Sequence, residues 1–278
     1  MRIDLHVHSS ASDGTDPPAE VMRRAGQAGL DVVALTDHDT LAGHAEASRA
    51  LPPGLALVAG MELSCRVAGH SVHLLAYGTD PADAGLAAEC AAIVEARRRR
   101  GQRVVERLRE LGVAVTWPQV EALATGGVVG RPHIARAMVA AGAITEPEQA
   151  FTPEWIGAGG RAYVSRYALD PVRAIGLIRA AGGVAVLAHP GAVSRGWKIP
   201  AETISGLADA GLAGLEVWHP DHDDAERSRL GALAARLDLV PSGGSDDHGS
   251  LTGHRIGRET CPPESYERLM ARRGAGSR

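Results

Sequence analysis

The histidines and carboxylates of this sequence fall where metal chemistry would need them. His6 and His8 stand two apart at the end of the aliphatic run Ile3–Val7. Residues with that spacing share one face of a strand, so two imidazoles project side by side. Such a pair alone is more often structural than ligating, but the pattern continues. Asp13 follows in SASDG, Asp37 and His38 in TDHDT, Glu62 in AGMELS, His73 in VHLLAYG, His189 after VAVLA, and Asp246 and His248 after LVPSGG. Most of these positions come just after a short aliphatic run, and in parallel α/β barrels functional residues gather at the carboxyl ends of strands.

Imidazole and carboxylate without thiolate suit Zn, Mn or Fe. The set His6, His8, Asp13, His38, Glu62, His73, His189, Asp246 and His248 is too large for one ion. Two or three divalent ions are therefore expected, with Glu62 or Asp13 bridging. Ions about 3.5–4 Å apart can activate water and clamp phosphate oxygens, which makes a phosphoester the expected substrate. His8 and Asp246 are expected to be indispensable for turnover, and Asp37 is a candidate for protonating the leaving oxygen. His70 lies three residues before His73, so on a strand it faces the other side. His219, at a strand end, is expected to support the site from behind, whereas His44, His222 and His254 are expected at the surface. The chain has no G-x-x-x-x-G-K-[ST] phosphate loop, no G-x-S-x-G elbow and no H-E-x-x-H helix.

The elements that must position these residues are ordinary in composition. The chain has 278 residues, 45% hydrophobic and 22% charged, with a formal net charge of −4. That balance gives no support for a basic nucleic-acid-binding surface, so no stable nucleic-acid partner is expected. Aromatics are only 3%, so the core must be built from Ala, Val, Leu and Ile. Cys65, Cys90 and Cys261 form no C-x-x-C pair, which argues against disulfides or a thiolate site and for a reducing cytoplasm. No apolar run is long enough to span a membrane, and the start MRIDLHVHSS lacks the apolar stretch of a signal peptide.

Strands are expected at Ile3–Val7, 31–35, 56–59, 71–77, 183–188, Gly214–Trp218 and 239–242, with helical patterns at 18–28, 170–181, 201–210 and 223–237 between them. This alternation implies a parallel sheet with helices outside. From 82 to 160 only helical signals occur, at 85–111, 118–124, 131–141 and Pro147–Phe151. They are read as a helical lid or substrate subdomain (82–160) inserted into a barrel made of 1–81 and 161–278.

The motifs D-L-H-V-H-S-x-x-S-D-G at 4–14 and L-T-D-H-D at 35–39, then G-M-E-L-S, H-L-L-A-Y-G, A-H-P-G and G-S-D-D-H in order, resemble the PHP (polymerase and histidinol phosphatase) superfamily. The resemblance spans 1–257. It implies an α/β fold, a distorted (β/α)7 TIM-like barrel, with a metal cluster held by the same residues named above. Asp13 stands where many members, including tri-zinc ones, have His, which leaves the number of tightly bound ions open. Within the superfamily the chain looks like the 3′,5′-nucleoside bisphosphate phosphatases that also trim short RNA from the 5′ end. R-x-x-R at Arg97 and Arg100, and R-x-H-x-x-R at Arg131, His133 and Arg136, carry that similarity. Arginines three apart share a helix face, and their planar forks suit phosphate. By this resemblance Arg97, Arg100, Arg131 and His133 would hold substrate phosphates, with Arg195 and Lys198 as further candidates. The implied reaction is hydrolysis of a nucleoside bisphosphate to the 5′-monophosphate, or of short RNA. The alternatives are a cyclic-phosphate phosphodiesterase, a histidinol-phosphate phosphatase and a non-catalytic, metal-stabilised nucleotide-binding module.

Overall fold

The computed structural model describes residues 1–124, 129–165, 167, 169–192 and 197–274. Seven strands, β1 (Ile3–Val7), β2 (Val32–Leu35), β3 (Ala56–Val67), β4 (His70–Tyr77), β5 (Val184–Leu187), β6 (Gly214–Trp218) and β7 (Val240–Gly243), form one sheet in chain order. Its two edges meet at the top. His8 N donates to Asp247 O at 2.9 Å and Asp246 N to His6 O at 2.7 Å, so the sheet is a nearly closed barrel. The helices are α1 (Pro18–Gln27), α2 (His44–Arg49), α3 (Ala84–Glu110), α4 (Trp117–Leu123), α5 (Arg131–Ala140), α6 (Pro171–Ala180), α7 (Ala201–Asp209), α8 (Asp224–Arg236) and α9 (Pro263–Ala271). Asp83, Asp170 and Asp223 cap α3, α6 and α8 by accepting first-turn N–H groups.

The expectation of an all-parallel sheet is corrected at one strand. β1, β2 and β3 pair in parallel, as do β5, β6 and β7, but β4 is antiparallel to both its neighbours. β3 does not stop at Ala59. It runs on to Val67, where Ala68 (φ 47°) and Gly69 (φ 89°) make a two-residue turn into β4. Positive φ at both turn positions matches the twist of paired strands and closes a tight hairpin. Glu62 therefore lies inside β3, opposite Leu75, rather than beyond a strand end.

Two apolar layers hold the barrel. Inside it, Ile3, Leu5, Leu75, Tyr77, Val184, Val186 and Val240 pack together, with Leu269 of α9 joining them. Outside, Leu74, Leu187 and Leu215 pack on Ile175 of α6, Ile204 of α7 and Leu230 of α8, while Val33 and Leu35 pack on Val21 and Met22 of α1. Each such side chain contributes about 1.5–3 kcal/mol on burial. β1 serves both the apolar interior and the site. Its register slips by one residue between Asp4 (opposite Val33) and Val7 (opposite Leu35). A bulge re-aims side chains, so Ile3 and Leu5 fill the interior while His6 and His8 still reach the cavity above it.

The segment between β4 and α6 has a core of its own, where Val104 and Leu108 of α3 meet Val120 of α4 and Ile134 and Met138 of α5. The first half of α3 belongs to the barrel instead, through Leu86, Cys90 and Ile93. Among the described residues no helix is long and apolar enough to cross a membrane.

Candidate metal centre

Above the apolar interior, the strand ends converge on a buried cluster of donor atoms. Among the described residues three overlapping groups form, each with its ligand atoms within 4.8 Å of one another: His6, His8, Glu62 and Asp246; His8, Asp13, His38 and His248; and His38, Glu62 and His73. His189 joins through Nε2, 2.9 Å from Glu62 Oε1. All the residues expected as ligands thus meet in one place.

Glu62 is the hub, because it belongs to two groups whereas Asp13 belongs to one. Its Oε2 lies 3.4 Å from His6 Nε2, 3.2 Å from His8 Nε2 and 3.3 Å from His38 Nδ1. Yet that buried oxygen accepts a hydrogen bond from none of them. A buried carboxylate oxygen ringed by imidazoles in this way fits a cation held between them.

The electrostatics point the same way. Burial alone would raise the Glu62 carboxyl, but His38, His73 and His6 hold it well below the usual range. Burial works likewise on Asp13 and Asp246, and is outweighed by His38 and His248 for the first and by His6 and His248 for the second. Burial would lower His8, but Asp246 and Glu62 carry it up to about 10. An imidazole must give up that proton to bind a metal ion.

The backbone here is held in costly shapes. Asp39, His189 and Asp246 have φ of 56°, 30° and 48°. Left-handed conformations of non-glycine residues cost of order 1–3 kcal/mol each and persist only when surroundings over-determine them. Around Asp246 those surroundings are visible: Arg255 Nη2 donates to Asp246 O at 2.9 Å. The Asp247 carboxylate accepts from Arg255 N at 2.6 Å, Thr252 Oγ1 at 2.9 Å and Gly249 N at 3.1 Å.

Asp37 stands apart from the donor groups. Its carboxylate is fully buried and accepts from Ser9 N at 2.8 Å, Ser9 Oγ at 2.6 Å and Ser12 Oγ at 2.6 Å. These bonds staple down the loop that carries Asp13.

The expected phosphate-binding residues divide. Arg97 forms an ion pair with Asp39 at 2.8 Å and a hydrogen bond with Ser64 Oγ. It also lies close enough to the centre to act on His38, whose imidazole is lowered by burial, with His8 and Arg97 pushing the same way. His133 is buried and accepts from Gly130 N at 2.9 Å. Burial lowers its imidazole while nearby Asp13 opposes that shift. Arg100 donates to Val164 O at 2.7 Å, and Arg131 lies 5.4 Å over the Phe151 ring. Lys198 pairs with Glu226 at 2.8 Å. Arg195 lies outside the described residues.

Of the remaining histidines, His70 is exposed and stacks on Trp197 at 4.3 Å, while His254 is exposed near Asp16. His44 is half-buried and bonds to Gly60 O at 2.8 Å. His222 was expected at the surface and is buried instead. It donates to Val217 O at 2.9 Å and accepts from Gly191 N at 3.1 Å, tying the loop after β5 to that after β6. Sequence reasoning missed Glu216 and Arg255 altogether. The one signal for Glu216 was a carboxylate inside the aliphatic run GLEVW.

The family model of the PHP domain matches residues 4–103. The 3′,5′-nucleoside bisphosphate phosphatase of Chromobacterium violaceum is 35% identical over 265 residues, which cover 94% of this chain and 93% of that protein. The chain belongs to the PHP family. A 5′-3′ exoribonuclease of Haemophilus influenzae is 34% identical over 248 residues, 89% of this PHP chain and 90% of its own. A Bifidobacterium adolescentis crystal structure, described as a metal-dependent phosphoesterase, matches with a TM-score of 0.91 at 36% identity, over 97% of this chain and 96% of that one. The PHP barrel and its buried donor cluster are accordingly those of a metal-dependent phosphoesterase.

Proposed function

We propose that this PHP-family enzyme removes one phosphate from a nucleoside carrying both 3′ and 5′ phosphates, leaving the 5′-monophosphate, and also accepts short 5′-phosphorylated RNA. The observation that carries this reading is a guanidinium and a buried imidazole of the helical segment standing beside the donor cluster. The donor cluster centred on Glu62 would bind one phosphate through the ions it holds. Arg97 pairs with Asp39, next to His38, and His133 is bonded to Gly130 N, whose backbone lies near Asp13. The similar C. violaceum and H. influenzae enzymes support it by the substrates their names carry.

Two or three divalent ions (Mn, Zn or Fe) held by the donor groups would polarise phosphoryl oxygens and activate water. The chain's own residues do the rest. Glu62 ties two donor groups into one rigid unit, and His8 and Asp246 present their nitrogen and oxygen to that unit. Asp37 holds the Asp13 loop in place through Ser9 and Ser12. Asp39 orients Arg97, so that its guanidinium and the His133 ring can bind the phosphate that is not cleaved. In this reading 82–160 is the substrate-binding lid, and the protein works in a reducing cytoplasm, as three free buried cysteines suggest.

The test is phosphate release from 3′-phosphoadenosine 5′-phosphate with added Mn, beside AMP, histidinol phosphate and a cyclic phosphodiester. Selective release with AMP as product is expected. Cleavage of one of the other three instead would keep the phosphoesterase and replace the substrate.

A further inference from the structure

β6 is the odd strand of the barrel. Every other strand, or the loop that follows it, contributes to the donor cluster: His6 from β1 and His8 just after it, His38 after β2, Glu62 from β3, His73 from β4, His189 after β5, and Asp246 and His248 after β7. β6 contributes to none of the three donor groups. It places two buried polar residues, Glu216 and His219, against the donors themselves.

Glu216 touches two of them. Its Oε1 lies 3.0 Å from His6 Nδ1, and its Oε2 accepts from the backbone N–H of His189 at 2.7 Å. A carboxylate offers only acceptors, so His6 must carry its proton on Nδ1. In the neutral ring that binds metal, the lone pair on His6 Nε2 then faces inward, 3.4 Å from Glu62 Oε2 and 3.3 Å from Asp246 Oδ1. At His189 the same carboxylate holds a peptide at φ 30°, in a shape the chain would not keep unaided, and so aims the ring at Glu62. His219 repeats the device on a third donor. Asp221 N donates to its Nδ1 at 3.0 Å, so the neutral ring carries its proton on Nε2. That N–H faces Asp246 Oδ2 at 3.3 Å and turns Oδ1 toward His6 and His8, 3.3 and 3.2 Å away.

We infer that β6 is a positioning strand, in which Glu216 sets the tautomer of His6 and the backbone of His189 and thereby determines how tightly metal is held. This rests on the metal-dependent reading of the site. It makes Glu216 a residue that acts through ligands and touches neither ion nor substrate. Removing partners of this kind lowers metal affinity by about 10–100-fold in known sites.

The test is a Mn(II) titration of the metal-stripped full chain, followed by the EPR signal of the free ion, together with the visible spectrum of the Co(II)-loaded protein. Glu216→Gln is expected to bind Mn(II) about 10–100-fold more weakly and to shift the Co(II) bands. Glu216→Asp keeps the charge but withdraws it by one methylene. It should fall between Glu216→Gln and wild type, and it supplies the measurement if the glutamine variant does not fold. Glu89→Gln is the matched control. Glu89 is a buried carboxylate held by Tyr167 and Arg173 and belongs to none of the donor groups, and its variant should bind and absorb as wild type does. Wild-type affinity and spectrum in a folded Glu216 variant would overturn the inference, and so would an equal loss in Glu89→Gln. A wild-type protein that takes up no Mn(II) would overturn the metal reading itself, and this inference with it.

Discussion

The barrel mouth and the helical segment over it obey different rules. At the mouth, side chains expected to act together do meet, because strand ends in a barrel point at a common axis and each strand has little choice about where its last residues go. In the segment 82–160, two arginines expected to act together on phosphate take different partners. Arg97 and Arg100 share a helix face, yet one reaches Asp39 and Ser64 while the other reaches Val164 O. A long, flexible side chain takes whichever acceptor the tertiary fold brings near it, and helical spacing decides only the direction in which it starts. A short, buried imidazole or carboxylate has no such latitude.

The contrast can be broken most decisively at the mouth. His8→Ala and Asp246→Ala should each cut phosphoester turnover by more than about 100-fold, beyond the usual loss from removing an outer partner. The fold should survive by circular dichroism, and full activity in both variants would sink the metal-centre assignment. Next comes the seam between the two regions. Arg97→Ala leaves the fully buried Asp39 carboxylate without its ion-pair partner, which should cost about 3–5 kcal/mol of stability. It should also raise KM for the bisphosphate more than it lowers kcat. Arg100→Ala, which loses its bond to the Val164 carbonyl and its place over the Tyr163 ring, should cost at least about 1 kcal/mol and leave KM unchanged. Equal kinetic damage from both arginines would restore them as a joint phosphate clamp.

Asp37→Asn sharpens the same division within the mouth. If the carboxylate staples the Asp13 loop, the variant should retain less metal and keep the shape of its pH–rate profile. Loss of one limb of that profile with full metal content would instead make Asp37 the proton donor. The smallest effect concerns the first turn of α8, beside the loop after β5. Arg229 and Lys198 hold the Glu226 carboxyl at about 2, against an ordinary 4.5. A depressed carboxyl stabilises the fold above its unfolded value, so this contribution is present above pH 4.5 and is lost as pH falls toward 2. Urea denaturation of Glu226→Gln should therefore show a shallower loss of stability over that interval than wild type.

Much of the site was legible because two periodicities are local. The two-residue spacing of His6 and His8, and the habit of His38, His189 and Asp246 of following aliphatic runs, can be read without knowing what packs on what. His222 and Glu216 could not be read that way. One looked like a loop histidine and the other like a stray charge in a strand, and their roles rest on Gly191, His6 and His189, which are distant in sequence. The antiparallel β4 was hidden for a related reason. An aliphatic run has no direction written in it, and only the turn at Ala68 and Gly69 reverses the chain.

By itself, then, the sequence determined which residues could bind metal, where most strands and helices lie, and that the chain closes an aliphatic core, because these follow from side-chain chemistry and short-range spacing. The tertiary structure alone decided that Glu62 rather than Asp13 is the hub, that Asp37 braces a loop, that Arg97 leans on Asp39, and that β6 serves the ligands instead of the metal. Those outcomes depend on which groups long loops bring within about 3 Å of one another, and hydrogen bonds and ion pairs are decided at that range.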